Sequence, residues 1–359
     1  MEDSTVFFYY TVQKGDTIYN LANEFGSTVA QIMMANSGLS IYNLQVGNKI
    51  VIPVGNIVDT NNEYNSSKLA TTVNGLKTVY PFLEVGKIGE SVLGKPLTYI
   101  RIGSGRKEIF YNASFHANEL ITTNVLLKFI EDYSRAYVNN KSIFGYSARA
   151  LYYGASLYVV PMVNPDGVDL VTGSLESVES AYQNAQDIAN NYPNIPFPSG
   201  WKANIDGIDL NLQFPAGWED AKRIKFSQGF TKPAPRDYVG EGPLTAPESL
   251  AVYNFTLEHN FRLIIAYHTQ GEVIYWKFQN YNPPFAEKIG RRFENVSGYT
   301  LSETPYNSSF AGYKDWFIQN YNRPGYTVEA GLGENPLPIS QFYRIYEDNL
   351  GILVNGLIL

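Results

Sequence analysis

Apolar residues along this chain follow two rhythms. Short runs without alternation, Leu97 to Ile102, Ile109 to Phe115, Leu157 to Val163, Leu263 to Tyr267 and Tyr326 to Ala330, have the length and continuity of strands buried on both faces. Longer stretches with apolar positions at helical spacing predict helices near Ser67 to Val79, Leu120 to Tyr137, Thr245 to His259, Pro284 to Val296 and Ile339 to Leu353. Strands of this kind separated by helices predict an α/β fold, a mixed, mostly parallel sheet with helices on both faces.

The N-terminal stretch has a rhythm of its own. Tyr10-Thr-Val-Gln is strand-like, Lys14-Gly-Asp-Thr17 turns into a helix cap, and Ile18, Leu21, Ala22 and Phe25 recur at helical spacing. A second helix, capped near Ser27 and Thr28, turns Val29, Ile32 and Met33 inward and ends at Ala35-Asn36, before a strand in Leu44 to Pro53. The order strand, helix, helix, strand, with Gly-Asp-Thr, the Ala-Asn pair and Val-Gly-Asn-Lys-Ile-Val-Ile-Pro in place, resembles the LysM domain. The resemblance makes this a small βααβ module over residues 9–53 and implies binding to N-acetylglucosamine-containing glycans, chiefly peptidoglycan. Residues 54–66, with Asp59-Thr-Asn-Asn-Glu63, have linker composition, and 67–359 then form the larger domain.

Composition narrows the function classes. In 359 residues, 44% of them hydrophobic, there is enough apolar surface for a packed core rather than a disordered chain. Acidic residues outnumber basic ones, 34 to 27, and no Lys/Arg block stands out, so no nucleic-acid partner is expected. With no cysteine, thiol catalysis and disulfides are excluded. The start, Met1 to Tyr10, lacks the basic and apolar regions of an export signal, and no run is apolar enough for a membrane span. A cytoplasmic or spore-associated location is expected from this, with the cell wall or the outside as the alternative.

Three histidines carry the candidate chemistry. His116 and Glu119, three residues apart just after the Ile109–Phe115 run, can grip one metal ion from the same side. A catalytic zinc site takes three protein ligands and leaves a position open, and His268, at the end of Leu263–Tyr267, is the natural third. His259 reads as a helix-end residue, where a cation suits the dipole. Glu329 places a carboxylate in an otherwise apolar strand, so it should face a charge or a cleft. Asn164-Pro-Asp-Gly167 reads as a turn, and Gly207-Ile-Asp-Leu-Asn-Leu212 as a strand with one face at a site.

Taken in order, His-x-x-Glu at 116 and 119, Asn-Pro-Asp-Gly at 164, Gly-x-Asp-Leu-Asn at 207, Gly-Pro-x-x-x-Pro-Glu at 242, His268 and Thr-Val-Glu at 329 resemble the zinc metallocarboxypeptidases of the carboxypeptidase A fold. The resemblance implies one zinc ion per chain on His116, Glu119 and His268, and Glu329 as general base. It also implies Asp209 behind the first histidine and Tyr306 as a mobile substrate-pocket residue. Lys202, in Trp201-Lys-Ala-Asn204, stands where the family has the arginine that stabilises the oxyanion.

One departure is larger. The family's Asn-Arg clamp for a substrate carboxylate reads Asn211-Leu212 here, so Asn211 is left as the candidate substrate contact and the main anion anchor lies elsewhere, with Arg323 and Arg236 as candidate replacements, or is unneeded. A LysM module joined to a zinc peptidase without that clamp is similar to the bacterial γ-D-glutamyl-L-diamino acid endopeptidases, and Asn211-Leu-Gln-Phe-Pro215 resembles that subgroup. Its substrates are peptidoglycan or muropeptides, cut at the bond from γ-D-glutamate to meso-diaminopimelate or lysine. Two other readings stand beside it: a carboxypeptidase for ordinary peptides, and an inert LysM wall-binding protein.

Overall fold

The computed structural model describes residues 6–36, 38–40, 42 and 44–358. The first five residues of the segment read for an export signal lie outside the described residues. Two compact units emerge: one of the chain up to Asp59 with Ser67–Glu84, the other of Thr60–Ser66 with Val85–Leu359.

In the first unit, β1 (Val6–Thr11) pairs antiparallel with β2 (Lys49–Val54). Helices Ile18–Glu24 and Val29–Ala35 lie between them in sequence. Each helix is started by a threonine cap: Thr17 accepts from Asn20 N–H, and Thr28 forms a reciprocal capping box with Gln31. The Ala-Asn pair has a structural purpose. The Asn36 side chain donates to Ile32 O and Val51 O and accepts from Val51 N–H, so it stitches the second helix to β2. Helix Ser66–Val79 belongs mostly to this unit, with Asn74 donating to Glu24 Oε1 at 2.8 Å.

The stretch of linker composition divides at Asp59. Its latter part is bonded to the second unit, where Thr60 Oγ1 meets Tyr343 OH at 2.9 Å and Asn124 donates to Asn62 O at 3.0 Å.

The second unit is built on β3 (Glu84–Glu90), β4 (Pro96–Ile102), β5 (Lys107–Ala113), the hairpin of β6 (Ser142–Ile143) and β7 (Tyr146–Ser147), then β8 (Ala155–Val160), β9 (Leu263–His268), β10 (Val273–Tyr275), β11 (Thr300–Ser302) and β12 (Gly325–Glu329). All but β6 and β7 form one eight-stranded sheet in the order β11-β10-β12-β9-β5-β8-β4-β3. The central β12, β9, β5 and β8 run parallel, whereas β10 against β12 and β4 against β8 are antiparallel.

Alternate residues of the central strands enter different layers. Phe110, Ile264 and Ala266 face a core with Phe255 from helix Pro247–Glu258 and Tyr313, Trp316 and Phe317 from helix Tyr313–Tyr321. Their neighbours Tyr111 and Tyr326 face the other side. There Tyr111 donates to Leu353 O of helix Phe342–Asn355, and Tyr326 packs on Phe293 of helix Ala286–Ser297 at 4.9 Å. β8 and β9 are buried along their whole length, and β5 from Ile109 onward, because each residue there meets a helix layer on one side or the other.

Two local readings change. Asn164-Pro-Asp-Gly is the start of a helix, Pro165–Val171, with Asn164 as its cap, because the Asn164 side chain accepts from Gly167 N–H. Gly207–Leu212 is a loop entering a short 3-10 turn at Leu210–Leu212, capped by Asp209, rather than a strand. Among the described residues no helix is long and apolar enough to cross a membrane.

Candidate metal centre

Three neighbouring parallel strands deliver the site at their carboxyl ends. The chain leaves β5 through Ser114, whose hydroxyl is buried against Thr122 and Thr123 at 3.1 and 2.9 Å, and reaches His116 at once. His268 ends β9 and Glu329 ends β12. These two are register partners, so their side chains leave the same face of the sheet.

His116 Nδ1 lies 2.8 Å from Glu119 Oε1, and His268 Nδ1 lies 2.9 Å from Glu119 Oε2. The two ring nitrogens face each other at 3.2 Å. One ligand atom from each residue falls within 4.8 Å of the others. Lone pairs turned on one point repel unless a cation lies between them. Donors about 2.0–2.1 Å from one tetrahedral ion stand roughly 3.3 Å apart, close to these spacings. The residues present therefore fit a metal ion, and two imidazoles with one carboxylate is a donor set of catalytic zinc.

Electrostatics gives the same answer. Burial lowers the His116 pKa, but the carboxylates of Glu119 and Asp209 outweigh it and lift the group to about 9. Glu119 is held well below its usual range despite burial, by His116, Lys202 and His268. The metal-free cluster thus draws positive charge.

Behind the ligands, Asp209 Oδ1 lies 3.2 Å from His116 Nε2 and accepts from Asn211 N–H, while Oδ2 accepts from Asp237 N–H at 3.1 Å. Burial opposes its charge, yet contact with His116 keeps its pKa below the ordinary value. His268 Nε2 is buried and has no hydrogen-bond partner among the described residues, so His116 alone of the pair is oriented from behind.

A cleft of about 250 Å³ opens on this cluster, lined by His116, Lys202, Asp209, Asn211, Leu212, Arg236, Tyr275 and Glu329 among others. Lys202 Nζ donates to Glu119 Oε1 at 2.9 Å. Burial raises the Glu329 carboxyl above its usual pKa and Glu119 adds to the rise, against a pull downward from His268. Arg236 enters the cleft with its Nε on Asp237 Oδ2 at 2.7 Å, and Lys225 holds the other oxygen of Asp237. Asn211 Oδ1 accepts from Tyr313 N–H at 3.0 Å, which ties the turn carrying Leu212 to helix Tyr313–Tyr321.

The structure does not bring every candidate to the cleft. Arg323 lies just before β12, at the opposite end of the strand from Glu329, and donates to Phe261 O at 2.7 Å. Tyr306 is 60% exposed on a short turn at the rim, its ring 5.1 Å from that of Phe310. His259 follows helix Pro247–Glu258, packed on Phe261 with Nδ1 3.2 Å from Glu108 Oε1. Conversely, the buried pair Lys314 and Asp315 lines the cleft and was not evident from the sequence. Its signal is two adjacent charges at the start of an otherwise apolar and amide helix, Tyr-Lys-Asp-Trp-Phe-Ile-Gln-Asn-Tyr.

Comparison with known proteins agrees with this geometry. A family model described as zinc carboxypeptidase matches residues 69–351, and a LysM domain model matches residues 10–53. The chain is 47% identical over 303 residues to gamma-D-glutamyl-L-diamino acid endopeptidase 1 of Lysinibacillus sphaericus, covering 84% of this chain and 74% of that protein. It is 41% identical over 296 residues to the uncharacterized protein YqgT of Bacillus subtilis (strain 168), covering 82% of this chain and 77% of that one. Among solved structures, carboxypeptidase A from Helicoverpa armigera superposes with a TM-score of 0.61 at 16% identity, over 83% of this chain and 73% of that chain, a likeness of fold. The match to the family model spans most of the sequence, and the chain belongs to the zinc carboxypeptidase family.

Proposed function

We propose that this chain hydrolyses the bond between γ-D-glutamate and the L-centre of a diamino acid in cell-wall peptides. The observation that carries the reading is Leu212. An apolar side chain, 9% exposed, lines the cleft where the family resemblance places a carboxylate-gripping arginine. A pocket so changed suits a peptide whose scissile bond is not that of an ordinary C-terminal residue, and the relative with 47% identity bears the name of such an endopeptidase.

His116, Glu119 and His268 would hold the zinc ion, which would supply Lewis acidity toward the scissile carbonyl and the attacking water. Glu329, at the edge of the cleft, accepts a proton from the attacking water and delivers it to the departing amine as the C–N bond breaks. Its raised pKa matches a group that must take up and then give away a proton. Lys202 and Arg236 stabilise the negative charge that grows on the carbonyl oxygen. Asp209 fixes His116 in one orientation.

The LysM module binds N-acetylglucosamine-containing wall glycan and raises the local concentration of substrate around the enzyme. The reading therefore places the chain where wall glycan is at hand, in the cell wall or the spore. Incubation with the tripeptide L-Ala-γ-D-Glu-meso-diaminopimelate and with an unmodified L-peptide tests the activity. Cleavage at the γ-D-glutamyl bond is expected; release of single C-terminal residues from the L-peptide alone sinks the proposal in favour of an ordinary carboxypeptidase anchored by Arg236.

A further inference from the structure

The Gly-Pro-x-x-x-Pro-Glu motif at 242–248 ends in a carboxylate that no step of the hydrolysis uses. Glu248 stands in the first turn of helix Pro247–Glu258, 0% exposed, and does not line the cleft. Its Oε1 accepts from Val92 N–H at 3.1 Å, and its Oε2 accepts from the side-chain amide of Asn204 at 3.2 Å. Burial lifts the carboxyl to about 7, while its own backbone N–H and the bonds from Asn204 and Val92 pull the other way. A buried carboxylate is costly, yet two N–H groups aimed at its two oxygens suit nothing else. A glutamine there would offer one acceptor and turn its own NH2 on the other donor.

The two bonds differ in weight. The turn that carries Val92 is held without Glu248, because Leu93 N–H donates to Asp166 at 2.8 Å, Lys95 Nζ to Asp169 at 2.7 Å and Ser91 N–H to Lys95 O at 2.9 Å. Asn204 has no such substitute. Its side-chain oxygen accepts from Asp206 N–H at 3.2 Å and Ile208 N–H at 3.0 Å, which closes the loop just before Asp209. Its main-chain oxygen accepts from the Trp201 ring N–H at 3.1 Å, beside Lys202. A flipped amide would set NH2 against the two main-chain donors, and Glu248, accepting on the other side, selects the orientation that works. The segment so held carries Lys202, bonded to Glu119, and Asp209, beside His116. The next residue, Ser249, donates to Leu210 O at 2.8 Å and fixes the far end of the same segment.

We propose that Glu248 is a positioning residue of the metal centre: through Asn204 it sets the segment 201–209 so that Lys202 meets Glu119 and Asp209 meets His116. It contacts none of the three metal ligands and acts only through these two residues. Its effect on zinc binding stands on the metal centre alone, and its effect on turnover rests on the proposed function.

The test uses the full chain, with zinc affinity read from competition with a chelator, kcat and KM from cleavage of L-Ala-γ-D-Glu-meso-diaminopimelate, and folding from the thermal midpoint. Glu248→Gln is expected to weaken zinc binding by about tenfold, as loss of an orienting group does. It should also lower kcat by about tenfold with KM within about twofold, because Lys202 meets charge that grows only in the transition state. In a chain already carrying Asp209→Ala, the same substitution should change zinc affinity by less than about twofold, since its route to the metal is gone. A folded Glu248→Gln with native zinc affinity and kcat overturns the inference, and so does a full loss of zinc affinity repeated in the Asp209→Ala chain. Asn204→Ser leaves Glu248 on Val92 and breaks only the link to the segment, so it decides on the same readouts should Glu248→Gln fail to fold. A native chain that binds zinc but leaves the tripeptide intact overturns the functional reading instead, and the zinc comparison still decides the positioning.

Discussion

Glu329 shows what a single residue reveals when its surroundings are considered. A carboxylate at the end of a buried strand is costly unless something nearby needs it, and here it faces a cluster that draws positive charge. Glu329→Gln keeps size and packing and removes only the proton acceptor. It should lower kcat by about 10²–10⁴-fold while zinc content stays at one per chain, measured by turnover and by metal analysis. Asp209 acts through another residue, so Asp209→Ala should weaken zinc binding by about 10–100-fold, read from competition with a chelator. The same cluster sets a pH dependence. In the metal-free protein His116 is raised from 6.5 to about 9, so its protonation stabilises the fold fully below 6.5 and that contribution fades as pH rises through 9. Zinc must displace this proton, so its apparent affinity should climb by up to about tenfold per pH unit below 9. A titration flat between pH 7 and 8 would contradict the assignment.

At the level of elements, legibility followed burial. The runs at Ile109–Phe115, Leu263–Tyr267 and Tyr326–Ala330 were readable because both faces of β5, β9 and β12 are covered, which removes alternation and leaves continuous apolar stretches. Their ends were readable too, since His116, His268 and Glu329 stand out against those runs. The Gly207–Leu212 loop misled because polar and apolar residues alternate there for another reason: Asp209 and Asn211 serve His116 and Tyr313, while Leu210 and Leu212 are buried. Lys314 was hidden because a lysine in a helix is ordinarily a surface residue, and only the packing shows it buried. The layer beneath the site has a cost that can be measured. Phe110 packs on Phe255 and Phe261 at 5.5 and 5.0 Å, so Phe110→Ala should lower stability by about 3–5 kcal/mol in denaturant titrations.

For the whole molecule, the two family matches carry separate information. On the proposed reading the carboxypeptidase-like unit holds the reaction and the LysM domain an address on wall glycan. If the address matters, soluble N-acetylglucosamine oligomers should slow release of peptide from intact peptidoglycan yet leave hydrolysis of a short soluble peptide unchanged. Equal inhibition of both would place the oligomers at the catalytic cleft instead. Neither match reveals the bond that is cut; that reading depends on Leu212 in the cleft wall and on the 47% relative. The most direct measurement is mass analysis of the products from a defined muropeptide treated with the full zinc-loaded chain. Scission between γ-D-glutamate and the diamino acid, abolished by a chelator and restored by zinc, is the result the account requires. An intact muropeptide alongside trimming of an ordinary L-peptide would contradict it.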